Sequence, residues 1–147
     1  MQIKPYYSEI LTGHNLHPRH RHILPDASYV PQGVNPGCGD NITLQLSIGE
    51  DGIIRDGAYT GDGCAVSQAS TDMMLDLVIG RTKEEALRLT ESFMRMIHGE
   101  VSEDEMNQLG EAAVLREIGR MPSRVKCAVL GWRTMEKIIR TQALSGG

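Results

Sequence analysis

Aromatic residues are scarce in this chain: one Trp, one Phe and four Tyr among 147 residues, or 4%. A surface that stacks nucleic-acid bases needs more of them. The formal net charge of −4 also runs against a phosphate-rich partner, so no nucleic-acid role is expected. Long apolar runs are missing too. None approaches the roughly 20 residues that cross a bilayer, and Met1-Gln2-Ile3-Lys4-Pro5 lacks the apolar stretch of a signal peptide. No Cys-x-x-Cys pair occurs, which removes the common zinc-finger and dithiol patterns. These absences point to a cytoplasmic, reducing setting, where thiols stay available for metal or sulfur chemistry.

What is present reads as one domain over 1–147, long enough to bury a core without disulfides. Tyr6 to Leu11 suggests a short helix ended by Gly13. A basic, turn-rich segment follows, with His14, His17, His20 and His22. Residues 25–40 carry three Pro and three Gly and read mostly as loop. Ile42, Leu44, Leu46 and Ile48 then alternate with polar residues, a half-buried strand. Gly49-Glu50-Asp51-Gly52 is a turn signal, and Ile53 to Thr60 supplies the returning strand.

From Cys64 the period becomes helical. Ala65/Val66, Ala69, Met73 and Leu77 share a face, and Gly80 is a stop. Thr82-Lys83-Glu84-Glu85 is a capping-box pattern opening a helix that turns Ala86, Leu89, Phe93 and Met96/Ile97 inward until Gly99. Ser102-Glu103-Asp104-Glu105 is a second box, before a shorter helical piece interrupted near Gly110. Pro122 suits the first position of a last helix, with Val125, Ala128/Val129, Trp132, Met135 and Ile139 as its apolar stripe and 141–147 as a frayed tail. Strands precede helices, so the class is α+β: a small antiparallel sheet of about three strands packed against several helices.

Three cysteines sit at the starts of things. Cys38 lies in the loop Pro36-Gly37-Cys38-Gly39-Asp40, Cys64 opens one helix, and Cys127 falls in the first turn of another. Zinc takes four thiolate, imidazole or carboxylate ligands in a tetrahedron, and Cys38, Asp40, Cys64 and Cys127 supply that number. The hairpin between them has two ends that can meet. A helix N-terminus favours the thiolate, which makes Cys64 and Cys127 ready ligands and poor core residues. Cys38, flanked by glycines, is the ligand most able to move. Three thiolates and one carboxylate on zinc give about −2 in formal charge, which Arg124 and Lys126 would partly offset.

Plainer readings stand beside these. Each Cys taken alone is a small core residue. Gly37 and Gly39 can simply make a turn, Asp62 caps the next helix rather than ligating, and Arg124 and Lys126 can be solvated. The four His of residues 14–22 are solvated or partner-facing rather than a second metal site. Met73-Met74 and Met94/Met96 fill the core, and Glu100 to Glu105 is a solvated cap.

Gly37-Cys38-Gly39-Asp40, the block Gly61-Asp62-Gly63-Cys64-Ala65-Val66-Ser67-Gln68-Ala69-Ser70 with Met73-Met74, and Arg124-Val125-Lys126-Cys127 resemble the IscU/NifU-like proteins of iron–sulfur cluster assembly. The resemblance runs from Tyr7 to Trp132. Lys126 stands where scaffold-type members carry a His, and residues 99–119 look like the insertion of the SufU branch. Asn15-Leu16-His17-Pro18-Arg19-His20 resembles that branch's docking segment, with His20 where Asn is usual.

The resemblance implies a zinc-dependent sulfur acceptor. Cys38, Asp40, Cys64 and Cys127 would be the zinc ligands. A SufS-type PLP-dependent cysteine desulfurase would form a persulfide, and one of its His would replace Cys38 on the metal. The freed Cys38 would take the sulfur, with Arg124 helping at the interface, and pass it toward downstream cluster-assembly scaffold proteins. Two other readings remain open: a scaffold or carrier that builds an iron–sulfur cluster on the same three cysteines, and a structural zinc domain with a protein-binding surface.

Overall fold

In a computed structural model the chain is described at residues 5–23, 32–35, 40–62 and 64–144. The elements are α1 (Pro5–Leu16), β1 (Gln32–Asn35), β2 (Asp40–Ile48), β3 (Ile54–Asp62), α2 (Ala65–Val78), α3 (Lys83–Ile97), α4 (Glu103–Gln108), a 3-10 segment Gly110–Arg120, and α5 (Pro122–Leu144). This is the α+β arrangement expected, with one antiparallel three-stranded sheet in the order β1-β2-β3.

The β2–β3 hairpin follows the sequence pattern. Ile42, Leu44 and Leu46 are buried, and Leu44 stands opposite Tyr59 on the same face. Gly52 closes the turn with its N–H on the Gly49 carbonyl at 2.9 Å, at a φ of 81° that favours glycine. The hairpin tip is tied to the next helical connection. Lys83 N–H bonds Gly52 O at 3.0 Å, and Ile54 N–H bonds Arg81 O at 2.8 Å.

Three elements differ from expectation. Gln32–Asn35 forms β1 where loop is expected; its single apolar residue, Val34, shows no alternation to read. α1 passes through Gly13 to Leu16, because the helix is held at its end by His14 rather than stopped by glycine. α5 continues to Leu144 through residues expected to fray, while 145–147 lie outside the described residues. The two capping boxes, at Thr82/Glu85 and Ser102/Glu105, are both formed.

α2 is the buried centre. Besides Ala69, Met73, Met74, Leu75 and Val78, it buries Ser67, Ser70, Thr71 and Asp72. Polar groups in that position must find partners. Ser70 Oγ donates to the Ala128 carbonyl of α5 at 2.6 Å and receives Trp132 Nε1–H at 3.2 Å. Trp132 in turn stacks on Phe93 of α3, with ring centroids 4.4 Å apart and 11° between planes. One hydroxyl thus fastens two helices at the core's largest side chain. The same seam is tight at Gly131, where a Cβ would run into Thr71 Oγ1 and stand 3.1 Å from Thr71 Cβ.

That contact sets the sign of a substitution. Glycine to alanine inside a helix ordinarily stabilises by about 1 kcal/mol. At Gly131 the clash wins, and Gly131→Ala is expected to destabilise by about 1–3 kcal/mol. Gly13→Ala in α1, where nothing lies within 4 Å, serves as the contrast and should raise stability by about 0.5–1 kcal/mol. Thermal melts of both variants check this; equal and positive shifts would show that the seam is not tight.

Candidate metal centre

Three of the four expected metal ligands fall on described elements: Asp40 on β2, Cys64 at the start of α2 and Cys127 on α5. Asp40 is the first residue of β2 and pairs with Asn35, while Asn41 pairs with Asp62, the last residue of β3. Two residues beyond Asp62, Cys64 is the N-cap of α2, in extended conformation with φ −71° and ψ 167°. The end of the sheet where β2 starts is therefore also the entrance to α2. Cys64 is half-buried and packs on the core. Its carbonyl receives Ser67 Oγ–H and Gln68 N–H, both at 3.1 Å. The N-cap position is held by Cys64, which makes no side-chain cap hydrogen bond; the expected Asp62 cap rests on a side chain outside the described residues.

Cys127 departs from its expected surroundings. α5 starts at Pro122, so Cys127 lies one turn in, beyond the first orphan N–H groups of the helix. It is 2% exposed and part of the core, not the poor core residue anticipated. It stands next to Ala128, whose carbonyl holds Ser70, so the α2–α5 seam fixes its backbone. From Ser70 back to Cys64 is about 9 Å of helix rise. Arg124 and Lys126 are exposed. Cys38 lies outside the described residues, and Asp40 is described in its backbone alone. The structure thus places the backbone of Asp40 and Cys64 at one end of the sheet, and Cys127 one turn into α5 beside the α2–α5 seam.

A second cluster was not anticipated. His14, expected in solvent or facing a partner, is buried. Its Nδ1 lies 2.6 Å from Asp72 Oδ2, and its Nε2 lies 2.9 Å from Glu111 Oε1. Asp72 is fully buried. Its Oδ1 also accepts the backbone N–H groups of Arg19 at 3.1 Å and His20 at 2.9 Å. His20 Nε2 reaches Asp76 Oδ1 at 2.8 Å, and Arg19 Nη1 reaches Asp76 Oδ2 at 3.3 Å. The His20 carbonyl then accepts Tyr59 N–H at 2.9 Å on the open edge of β3. The segment after α1 is thereby bound down on α2 and β3.

The electrostatics agree with this geometry. The bond to Asp72 raises the His14 pKa above its usual 6.5; burial opposes it and Glu111 reinforces it. Burial pushes Asp72 upward, but the bonds from His14, His20 and Arg19 outweigh it and hold the carboxyl below its usual 3.8. Burial pushes the Tyr59 phenol well up, and among the described residues its hydroxyl has no hydrogen-bond partner. The signal for the cluster was present in the sequence. Asp72 interrupts a run that is otherwise core, and a buried carboxylate demands a partner. What the sequence does not show is which of five His supplies it, 58 positions away.

The pair carries a pH dependence. His14's raised pKa gives stability that is full below 6.5 and fades as pH rises through its folded value. Asp72's lowered pKa gives stability present above 3.8 and lost as pH falls through its folded value. The contribution is therefore largest between these limits. His14→Gln, in chelator-containing buffer, is expected to cost about 1–3 kcal/mol near pH 5.5 and less near pH 8.5. Denaturant melts of variant and parent at both pH values measure this, and a gap that widens with pH would contradict the pairing.

Comparison with known proteins gives a consistent result. The model of the NifU-like N terminal domain matches residues 6–128. The iron-sulfur cluster assembly scaffold protein IscU of Streptococcus pyogenes is 39% identical over 93% of this chain and 84% of its own length. The zinc-dependent sulfurtransferase SufU of Bacillus subtilis is 34% identical over 89% of this chain and 87% of its own. Among solved structures, a putative iron-sulfur cluster assembly scaffold protein for the SUF system from Fervidobacterium islandicum superimposes with a TM-score of 0.82. It is 34% identical and covers 89% of this chain and 94% of that one.

Proposed function

The chain belongs to the NifU-like N-terminal domain family, the IscU/SufU family, and on that premise we propose that it is a zinc-dependent sulfur acceptor. In this reading it takes persulfide sulfur from a SufS-type cysteine desulfurase, in a reducing cytoplasm, for iron–sulfur cluster biogenesis. The donor chemistry fits zinc as far as the described residues carry it. Cys127 offers a thiol in the core, Cys64 a thiol at a helix entrance, and Asp40 begins the neighbouring strand. Cys38 would complete the four. When bound, zinc would keep these thiols as thiolates and add its folding energy to the domain.

The chain's own residues do the rest. Cys38 sulfur attacks the outer sulfur of the donor persulfide; the new S–S bond forms as the donor's S–S bond breaks, and the donor leaves as a thiolate. Arg124, exposed in the first turn of α5, faces outward where a docked partner can meet it. Lys126, also exposed, stands directly before Cys127. The observation that carries this reading over a cluster scaffold is that lysine: it supplies charge where an imidazole would supply a further ligand for iron. The scaffold reading is favoured by the similarity to the Streptococcus pyogenes protein, and sulfur and iron assays separate the two.

Incubated with a cysteine desulfurase and L-cysteine, then trapped with a thiol alkylator, the protein is expected to carry persulfide on Cys38. Cys38→Ser should lose that label and most of the desulfurase stimulation while Arg124→Ala weakens only the stimulation. Persulfide found only on Cys64 or Cys127 would overturn the assignment. A stable visible chromophore after anaerobic iron and sulfide addition, with no zinc in the protein as purified, would favour the scaffold.

A further inference from the structure

His14, Asp76 and Glu111 come from α1, α2 and the 3-10 segment, and their ligand-capable atoms all lie within 4.8 Å of one another. A cleft of about 380 Å³ opens beside them, walled by Glu9, Gly13, His14, His17, Arg19 and Glu111. We propose that this cluster is a second divalent-cation site, separate from the cysteine centre, taking an ion such as Zn2+ on His14 Nε2 and the carboxylates of Glu111 and Asp76.

A metal-bound His almost always gives its other ring N–H to a carboxylate or carbonyl, which fixes the tautomer and the ring plane. His14 Nδ1 meets Asp72 Oδ2 at 2.6 Å. Asp72 is fully buried and pinned by two backbone N–H groups, so the ring it orients has little freedom. Nε2 is then aimed at Glu111, 2.9 Å away.

Spacing agrees. Ligand bonds of 2.0–2.2 Å in a tetrahedron put ligand atoms roughly 3.3–3.6 Å apart. That lies between the 2.9 Å of His14–Glu111 and the 4.8 Å limit of the trio, within reach of small side-chain rotations. Asp76 already meets His20 and Arg19, but each of its oxygens has a second lone pair to give. Arg19, a permanent cation on the cleft wall, has a side chain 71% exposed and can turn away. The carboxylate of Glu111 is 53% exposed, so it can close on an ion that enters by the cleft. Glu9 lines the same cleft.

Such an ion would join segments 97 positions apart. It would also be chemically unlike the cysteine centre, since it has no sulfur ligand. Cobalt distinguishes the two, because thiolate ligation brings an intense charge-transfer band that nitrogen and oxygen ligands lack. Co2+ titrated into the full chain should fill a component with weak visible d–d bands and no thiolate band. Glu111→Gln, a surface change that leaves the fold in place, should weaken that component about tenfold or more and leave the thiolate band untouched. His14→Gln should remove it. The proposal fails if every cobalt equivalent bound carries thiolate absorption, or if the sulfur-free component binds Glu111→Gln as tightly as the parent.

Discussion

The hydroxyl of Ser70 holds this fold's functional end together. It gives its proton to the backbone of α5 beside Cys127 and takes one from Trp132, all away from water. A buried hydrogen bond contributes only about 1 kcal/mol net, but leaving its partners unmade costs more. Gly131 lets α5 close against Thr71 at the same seam. The spacing of the two helices is therefore fixed by a small residue and a bridging hydroxyl together. Because Cys64 heads one helix and Cys127 sits in the other, that spacing also sets how far apart these two thiols stand. Core packing and the placement of the two thiols are one constraint here.

A second polar group does the same for the other flank. Asp72 is buried as a carboxylate, and its negative charge is answered by one imidazole and two backbone N–H groups from residues 14–20. The N-terminal segment thereby gains a fixed seat although its own sequence, rich in His and Arg, suggests a solvated strap. Leu16 and Ile23 on that segment remain exposed, so apolar burial contributes little there. Charge and hydrogen bonding hold it.

Much of this was legible beforehand. The period-two run from Ile42 to Ile48, the capping boxes at Thr82 and Ser102, the glycine stops at Gly80 and Gly99 and Pro122 each act locally, and local rules read them correctly; Gly13, inside α1, is the stop that failed. The cysteine and aspartate pattern raised the expectation of a metal centre, which is carried forward in the proposed function; Cys38 and the side chain of Asp40 lie outside the described residues. β1 escaped notice because four residues with one apolar side chain hold no period. Cys127 was misjudged because burial depends on how α5 crosses α2, which no local pattern encodes. His14, Asp72 and Glu111 escaped for the same reason: their meeting is a property of the tertiary fold. No helix among the described residues is long and apolar enough to cross a membrane, as the lack of long apolar runs suggested.

The seat of the N-terminal segment also orders events in time. Its contacts reach across 58 and 97 positions, and closing chain loops of that length is slow compared with forming the hairpin or a single helix. Residues 14–20 must wait for α2 and for the 3-10 segment before they can settle. Until then the edge of β3 near Tyr59 has lost its cover from the His20 carbonyl, and an uncovered strand edge invites pairing with other chains. The segment is thus seated only after elements that follow it in the chain, and the edge it covers on β3 is open to pairing during that interval.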